Sequence, residues 1–192
     1  MALAPWRSPL ARALHRNRSL PYARYFQLAT VRPNGRPANR TVVFRGFLDD
    51  TNQLKIVTDA RSEKADQIDR NGWGEACWYF PTTREQFRLA GPLTLVREDC
   101  SDADLCRARQ RSWQELSDAA RIQFAWAHPG HPRQADGFEP PPPNALTPLP
   151  HFCLLLLNPL QVDHLELRGD PQNRLTYSLD EAQTWSMQSV NP

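Results

Sequence analysis

Two arginines bracket one short apolar run, Arg40-Thr41-Val42-Val43-Phe44-Arg45, and a lysine follows in Val57-Thr58-Asp59-Ala60-Arg61-Ser62-Glu63-Lys64. The first run has the β-branched and aromatic content of a strand. The second reads as a strand end running into a helix that starts at Ser62. Guanidinium and ammonium groups facing the free N–H groups of a helix start are a place to hold a phosphate. The chemistry points to a phosphorylated cofactor. Two other groupings invite a reading. His128-Pro129-Gly130-His131 brings two imidazoles together, but no third ligand lies nearby and prolines surround it, so it reads as a loop and no metal is expected. His164 and Glu166, two apart in a strand, share a face and read as an interface pair rather than a substrate contact. No side chain stands out as a general base, so no catalytic residue is assigned.

The elements that must position these groups follow from turn signals and periodicity. Pro9 to about Arg18 places Leu10, Ala13 and Leu14 on one helical face, within an N-terminal helical segment 1–19. Strands are expected at Tyr25–Val31, Asn39–Phe47, Gln53–Thr58, Glu75–Phe80 and Gln86–Val96, with a hairpin turn at Pro33-Asn34-Gly35-Arg36. A helix is expected over 62–70, and a longer helical region from Ser101 to Phe124. His128 to Pro150 holds eight of the 18 prolines and must be an extended loop, one that could wrap a partner subunit. Strands resume at Phe152–Leu157, Gln161–Arg168 and Arg174–Ser178, and Trp185 begins a last one. A meander with few helices and no βαβ periodicity implies a mainly β fold with flanking helices, an antiparallel barrel.

The 192 residues, 40% hydrophobic, suit a single domain over 1–192 with a substantial core. No apolar run approaches the roughly 18 residues of a membrane span. Charge divides unevenly: nine arginines and no acid precede Asp49, giving +9, while residues 49–192 carry 14 basic and 21 acidic residues, giving −7. The arginines lie within strand and turn patterns, and no nucleic-acid motif accompanies them, so an anionic small molecule is the preferred partner. Cys77, Cys100, Cys106 and Cys153 form no C-x-x-C pair, and Cys77 and Cys153 read as small core residues. The acid-poor start slightly resembles a transit peptide but is expected to be retained. With no secretory h-region, a cytoplasmic location is expected.

The motifs taken together carry a resemblance. Arg40-Thr41-Val42-Val43-Phe44-Arg45-Gly46 resembles the Arg-x-Val-Leu-Leu-Lys-Gly strand of the pyridoxamine 5′-phosphate oxidase superfamily, the FMN-binding split barrels. Val57-Thr58-Asp59 with Ser62 and Lys64 is similar to that family's aromatic-Thr-Asn-x-x-Ser-Arg-Lys segment. Gln86-Phe87-Arg88-Leu89-Ala90-Gly91 resembles its Gln-Val-Arg-Val-Glu-Gly strand, and Trp185 to Pro192 its Trp-rich closing segment. The order and spacing hold from about Leu20 to Pro192, nearest to the oxidase-related FMN-binding subgroup.

The resemblance implies an antiparallel split β-barrel and a homodimer, with FMN in clefts between the subunits. By match, Arg40 and Lys64 would meet the FMN phosphate. Thr41, Val42, Val43, Val57 and Thr58 would line the ring system. Ser62 would bond phosphate or ribityl oxygens, Gln86 would reach a ring heteroatom, and Arg88 would belong to the same site. Arg45 and Arg174 would be substrate contacts, and Trp126 a cover over the flavin. Departures from the pattern are equally specific. Glu63 stands where the family carries a second phosphate cation, and Arg45 replaces the substrate-phosphate lysine. Arg174-Leu175-Thr176-Tyr177-Ser178 lacks the His and second Arg of Arg-Leu-His-Asp-Arg, and Leu165-Glu166-Leu167 lacks the Phe-Trp pair. The implied activity is therefore an FMN-dependent oxidoreductase acting on a small, possibly phosphorylated metabolite. A non-catalytic flavin- or haem-binding module is the alternative.

Overall fold

A computed structural model of the chain describes residues 3–134 and 136–192. The chain begins with helix α1 (Arg7–Arg16). Its strands are β1 (Tyr25–Val31), β2 (Pro37–Val43), β3 (Leu54–Asp59), β4 (Trp73–Phe80) and β5 (Glu85–Val96), with helix α2 (Glu63–Arg70) between β3 and β4. Helices α3 (Ala103–Gln114) and α4 (Asp118–Arg121) and a 3-10 turn over Ile122–Ala125 follow. Strands β6 (Phe152–Leu157), β7 (Gln161–Glu166), β8 (Asn173–Leu179) and β9 (Trp185–Val190) complete the chain. Among the described residues no helix is long and apolar enough to cross a membrane.

Every strand pairing is antiparallel, and the order is β2-β1-β4-β5-β7-β8-β9, with β6 pairing β5 and β3 pairing β6. β5 is shared between two sheet segments. Its first half, Glu85–Ala90, pairs with β7, and Leu93–Val96 pairs with β6. The changeover falls at Gly91 and Pro92, where a ladder must be left and proline has no N–H to give. A Cβ on Gly91 would sit 2.0 Å from the carbonyl oxygen of Asn158, so only glycine lets the chain pass. The other edges of the sheet, β2 and β3, meet beyond the end of β2. There Arg45 N–H donates to Lys55 O (2.9 Å), Lys55 N–H donates to Gly46 O (2.8 Å), and Phe47 bridges Leu54. That join is no continuous ladder, so the sheet is not closed.

Alternation along the strands decides what lies inside. Phe26, Leu28, Ile56, Trp78, Phe80, Phe87, Leu89 and Leu155 fill the interior, and α1 adds Leu10 and Ala13. The Trp78 indole packs 5.1 Å from Phe26 and 4.9 Å from Phe44, and its N–H donates to Ala23 O at 2.9 Å. β6 is buried at all six positions because both its faces are covered. Leu155 and Leu157 look into the barrel, while Phe152, Leu154 and Leu156 pack under α3 and its surroundings.

The structure corrects several expectations. The helical region after Ser101 is broken: α3 stops at Gln114 and Ser117 caps α4 through its side chain. The break is held by Arg121, which is buried and donates to the carbonyls of Trp113, Gln114 and Leu116 that a helix end leaves open. Cys77 is not a core residue. The inward positions of β4 are Gly74, Ala76, Trp78 and Phe80, which leaves Cys77 half-buried on the outer face. Cys153 is buried, as expected. His164 is no interface pair: β7 buries Val162 and His164, and the imidazole bonds Glu85 within its own chain.

Candidate functional site

A cleft of about 590 Å³ opens beside the end of β2, β3 and the turn into α2. The β3–α2 turn is built by its own side chains. Asp59 accepts from the backbone N–H of Arg61 (2.8 Å) and from its guanidinium (2.7 Å to the second oxygen), and the Ser62 hydroxyl donates to Asp59 O at 2.7 Å. Ser62 stands at the N-cap of α2 but makes no side-chain cap; its hydroxyl instead donates to Asp59 O and closes the turn. Its oxygen is turned to Lys64, whose ammonium donates to Ser62 Oγ (3.2 Å) and Thr58 Oγ1 (2.7 Å). Burial pushes the Lys64 pKa below the ordinary value, and repulsion from Arg40 lowers it further.

Eight of the residues singled out from the sequence line this cleft: Thr41, Val42, Val43, Arg45, Val57, Thr58, Ser62 and Lys64. Arg45 has no side-chain hydrogen bond or ion pair among the described residues, and its Nε is buried without a partner. Arg40 does not line the cleft. Its guanidinium donates to Leu28 O (3.1 Å), to Thr30 Oγ1 and to Gln67 Oε1 (3.0 Å), pinning β2 to β1 and α2. Burial and repulsion from Arg32 lower its pKa, against an opposing pull from Glu63. Glu63 points away from the cleft, towards Gln67 (2.7 Å) and Arg32 (3.4 Å). Gln86, Arg88 and Arg174 lie elsewhere, on the outer sheet face. Arg88 pairs with Glu75 at 2.6 Å, and Arg174 grips Asp163 with two nitrogens at 2.7 and 3.1 Å.

The far wall of the cleft is what sequence reasoning placed least well. It comes from Leu116, Ala120, Phe124, Trp126, the chain from Ala127 to Gln134, and Phe138. Of these, only Trp126 was expected over the site. Its indole N–H is buried without a partner, and its ring packs edge-on against Phe138 at 5.9 Å. His128 and His131 stack at 3.9 Å beside the cleft. The first part of the proline-rich loop thus lines the cleft of its own chain. The last part is tied to α3, where the Trp113 N–H donates to Asn144 O (2.9 Å) and Arg109 to Leu149 O (2.9 Å).

Asp59 and Arg61 were also not foreseen as cleft residues, although their spacing two apart on a strand end was visible. Arg61 donates onward to Phe124 O (3.1 Å) and Trp126 O (3.4 Å), and His151 also bonds Phe124 O. This clip joins the β3–α2 turn to the aromatic wall. Burial pushes the Asp59 carboxyl up, but the Arg61 hydrogen bonds and the neighbouring charges outweigh it and leave the pKa lowered. Arg61→Ala is expected to cost about 1–3 kcal/mol at neutral pH by stranding a mostly buried carboxylate. A carboxyl depressed in the fold contributes stability above its ordinary pKa and loses it as pH falls through the lower folded one. The difference between wild type and variant should therefore narrow as pH falls from the variant's Asp59 pKa, which burial raises once Arg61 is gone, towards the lowered wild-type one. Faster proteolysis within 127–138 should accompany it; an unchanged cleavage rate would show that the clip holds nothing.

Comparison with known proteins fixes the relationship. The description "Pyridoxamine 5′-phosphate oxidase, FMN-binding domain" matches residues 3–97. Pyridoxine/pyridoxamine 5′-phosphate oxidase 2 of Arabidopsis thaliana is 36% identical over 99% of this chain and 98% of its own length. The chain belongs to the pyridoxamine 5′-phosphate oxidase-related FMN-binding family. A crystal structure of a pyridoxamine 5′-phosphate oxidase-related, FMN binding protein from Nostoc punctiforme superposes with a TM-score of 0.98, at 65% identity over all of both chains. PhzG from Burkholderia lata, at 18% identity, TM-score 0.78 and 96% and 91% coverage, shares the fold. Within the family match fall β1 to β5 and α2, hence the cationic side of the cleft. Its aromatic wall comes from residues beyond that match.

Proposed function

We propose that the cleft holds FMN, that the protein is an FMN-dependent oxidoreductase acting on a small, phosphate-bearing metabolite, and that it works as a homodimer. One observation carries this reading: Arg45, with no ion pair among the described residues, and Lys64 line one cleft whose remaining walls are largely apolar and aromatic. FMN needs that combination, since a dianion requires cations and hydroxyl donors while the flavin ring requires apolar faces. Lys64, Ser62 and Thr58 would take the phosphate. Val42, Val43 and Val57 would lie against the ring on one side, and Trp126 and Phe124 would exclude water on the other. Bound FMN would supply the redox chemistry, taking a hydride from the substrate and returning electrons to dioxygen or another acceptor. Arg45 would meet an anionic group of the substrate with its open guanidinium fork. Arg40 would act from behind, fixing the strand that carries Thr41 to Val43.

The outer sheet face supports the dimer. Tyr22, Tyr25 and Tyr79 are about half exposed there and surround Gln27 and Thr41, and Thr41 also lines the cleft. Gln86 neighbours Tyr79 in register on the same face. A second copy packed on this patch supports a role for Gln86 that one chain alone does not provide. The test is a visible spectrum of the purified protein with mass determination of whatever denaturation releases, alongside light scattering for the oligomeric state. Flavin bands and an FMN mass are expected. Colourless protein that takes up no FMN on reconstitution would end this reading, and a Soret band would replace it with a haem carrier.

A further inference from the structure

The inward face of β5 and β7 carries a chemical group that the cleft does not use. Glu85 and Glu166 are direct cross-strand partners, and His164 lies on the same face, two residues before Glu166. One donor atom from each of the three side chains lies within 4.8 Å of the other two. His164 is 3% exposed, with Nε2 2.9 Å from Glu85 Oε2, and its ring stacks on Phe87 at 4.0 Å and 11°. Asn173 Nδ2 donates to Glu166 Oε2 at 3.3 Å, orienting the second carboxylate.

Like charges directly opposite in a sheet repel, and here the repulsion is taken in a largely buried place. Among the described residues no lysine or arginine pairs with Glu85 or Glu166; the one ion-pair partner is the His164 imidazole. With that ring neutral, two carboxylates leave the group at −2. Its Nδ1 is buried and has no partner either, so the imidazole is not fully used by the protein around it. One nitrogen and two carboxylate donors, preset by stacking and by register, suit a borderline divalent ion.

We propose that Glu85, His164 and Glu166 form a divalent-cation site separate from the cleft, with His164 Nε2 and one oxygen from each glutamate as ligands and water completing the shell. Binding requires the Nε2 proton to move to Nδ1, the tautomer that leaves Nε2 free for the ion. No acceptor meets that Nδ1 proton, and a missing outer partner weakens metal affinity by about 10–100-fold. Micromolar rather than nanomolar binding follows. Glu166, at the end of β7 and only half-buried, leaves a way in from solvent.

The 192-residue chain, treated with EDTA and exchanged into metal-free buffer, is titrated with Zn²⁺ and with Mn²⁺ by calorimetry and by thermal melting. One ion per chain is expected, with a rise in melting temperature that EDTA reverses. Glu166→Gln should weaken binding at least tenfold while melting normally without metal, and Glu85→Gln serves as a second variant should that one fold poorly. No uptake by the wild type would overturn the proposal. Uptake unchanged in both variants, or abolished instead by His128→Ala with His131→Ala, would overturn it equally. Flavin content read in the same samples keeps this result distinct from the fate of the FMN proposal.

Discussion

Lys64→Met is expected to weaken FMN binding by a factor of roughly 10 to 100. The ammonium is the one lysine nitrogen in the cleft, and it is already oriented by Thr58 and Ser62. A hydrogen bond to a charged group contributes about 1.5–3 kcal/mol, and each 1.4 kcal/mol is tenfold. Methionine keeps the packing of the stem and removes the charge together with the hydrogen bonds to Thr58 and Ser62. The lowered pKa adds a pH signature. In the free protein the ammonium sheds its proton below the 10.5 of an ordinary lysine, because it is buried and repelled by Arg40. A dianion favours the protonated form, so binding takes up a proton once pH passes the lowered value, and wild-type affinity falls as pH rises through it. The variant has no such group and should lose that alkaline fall. Quenching of FMN fluorescence across a pH series measures both effects. Equal affinities, or the same pH slope in the two proteins, would remove Lys64 from the phosphate site.

The second large effect concerns the fold. Gly91→Ala should destabilise by about 3 kcal/mol or more, a fall of about 6–12 °C in melting temperature for a domain of this size. The new methyl would lie 2.0 Å from Asn158 O and 2.9 Å from its carbonyl carbon, and both are backbone atoms with no rotamer to change. The strain falls where β5 leaves β7 for β6, so relief in one sheet segment displaces the other. Gly35→Asn is the control. Gly35 has a left-handed φ of 78° in the β1–β2 turn, nothing lies within 4 Å of the added Cβ, and asparagine tolerates that conformation. A melting temperature for Gly91→Ala within a degree or two of wild type would mean that the backbone there yields more easily than the packing indicates.

Much of the cationic half of the site was legible because local signals agreed. β-branched alternation placed Thr41 to Val43, and a strand end followed by serine and lysine placed Thr58 to Lys64. Arg40 shows where such reading stops. Residue type and spacing suit it to a phosphate, yet its guanidinium is occupied by Leu28 O, Thr30 and Gln67, two of them buried polar side chains that no local pattern connects to residue 40. Arg88 and Arg174 are held by Glu75 and Asp163, partners that only the β4–β5 and β7–β8 registers bring across. Cys77 was read as core from its apolar neighbours, but one step of alternation turns it outward. The aromatic wall was hidden for another reason. Phe124 and Trp126 follow a helix break that Arg121 stabilises through hydrogen bonds to the last carbonyls of α3, and a continuous apolar periodicity gave no sign of it.

Strands β5 and β6 are neighbours in the sheet, yet residues 97–151 leave and return between them, and that excursion supplies the whole aromatic side of the cleft. With FMN bound as proposed, the strand-and-turn side would meet its phosphate, while this insert, tied back to the β3–α2 turn by Arg61 and to β6 by Arg109, would shape what enters beside it.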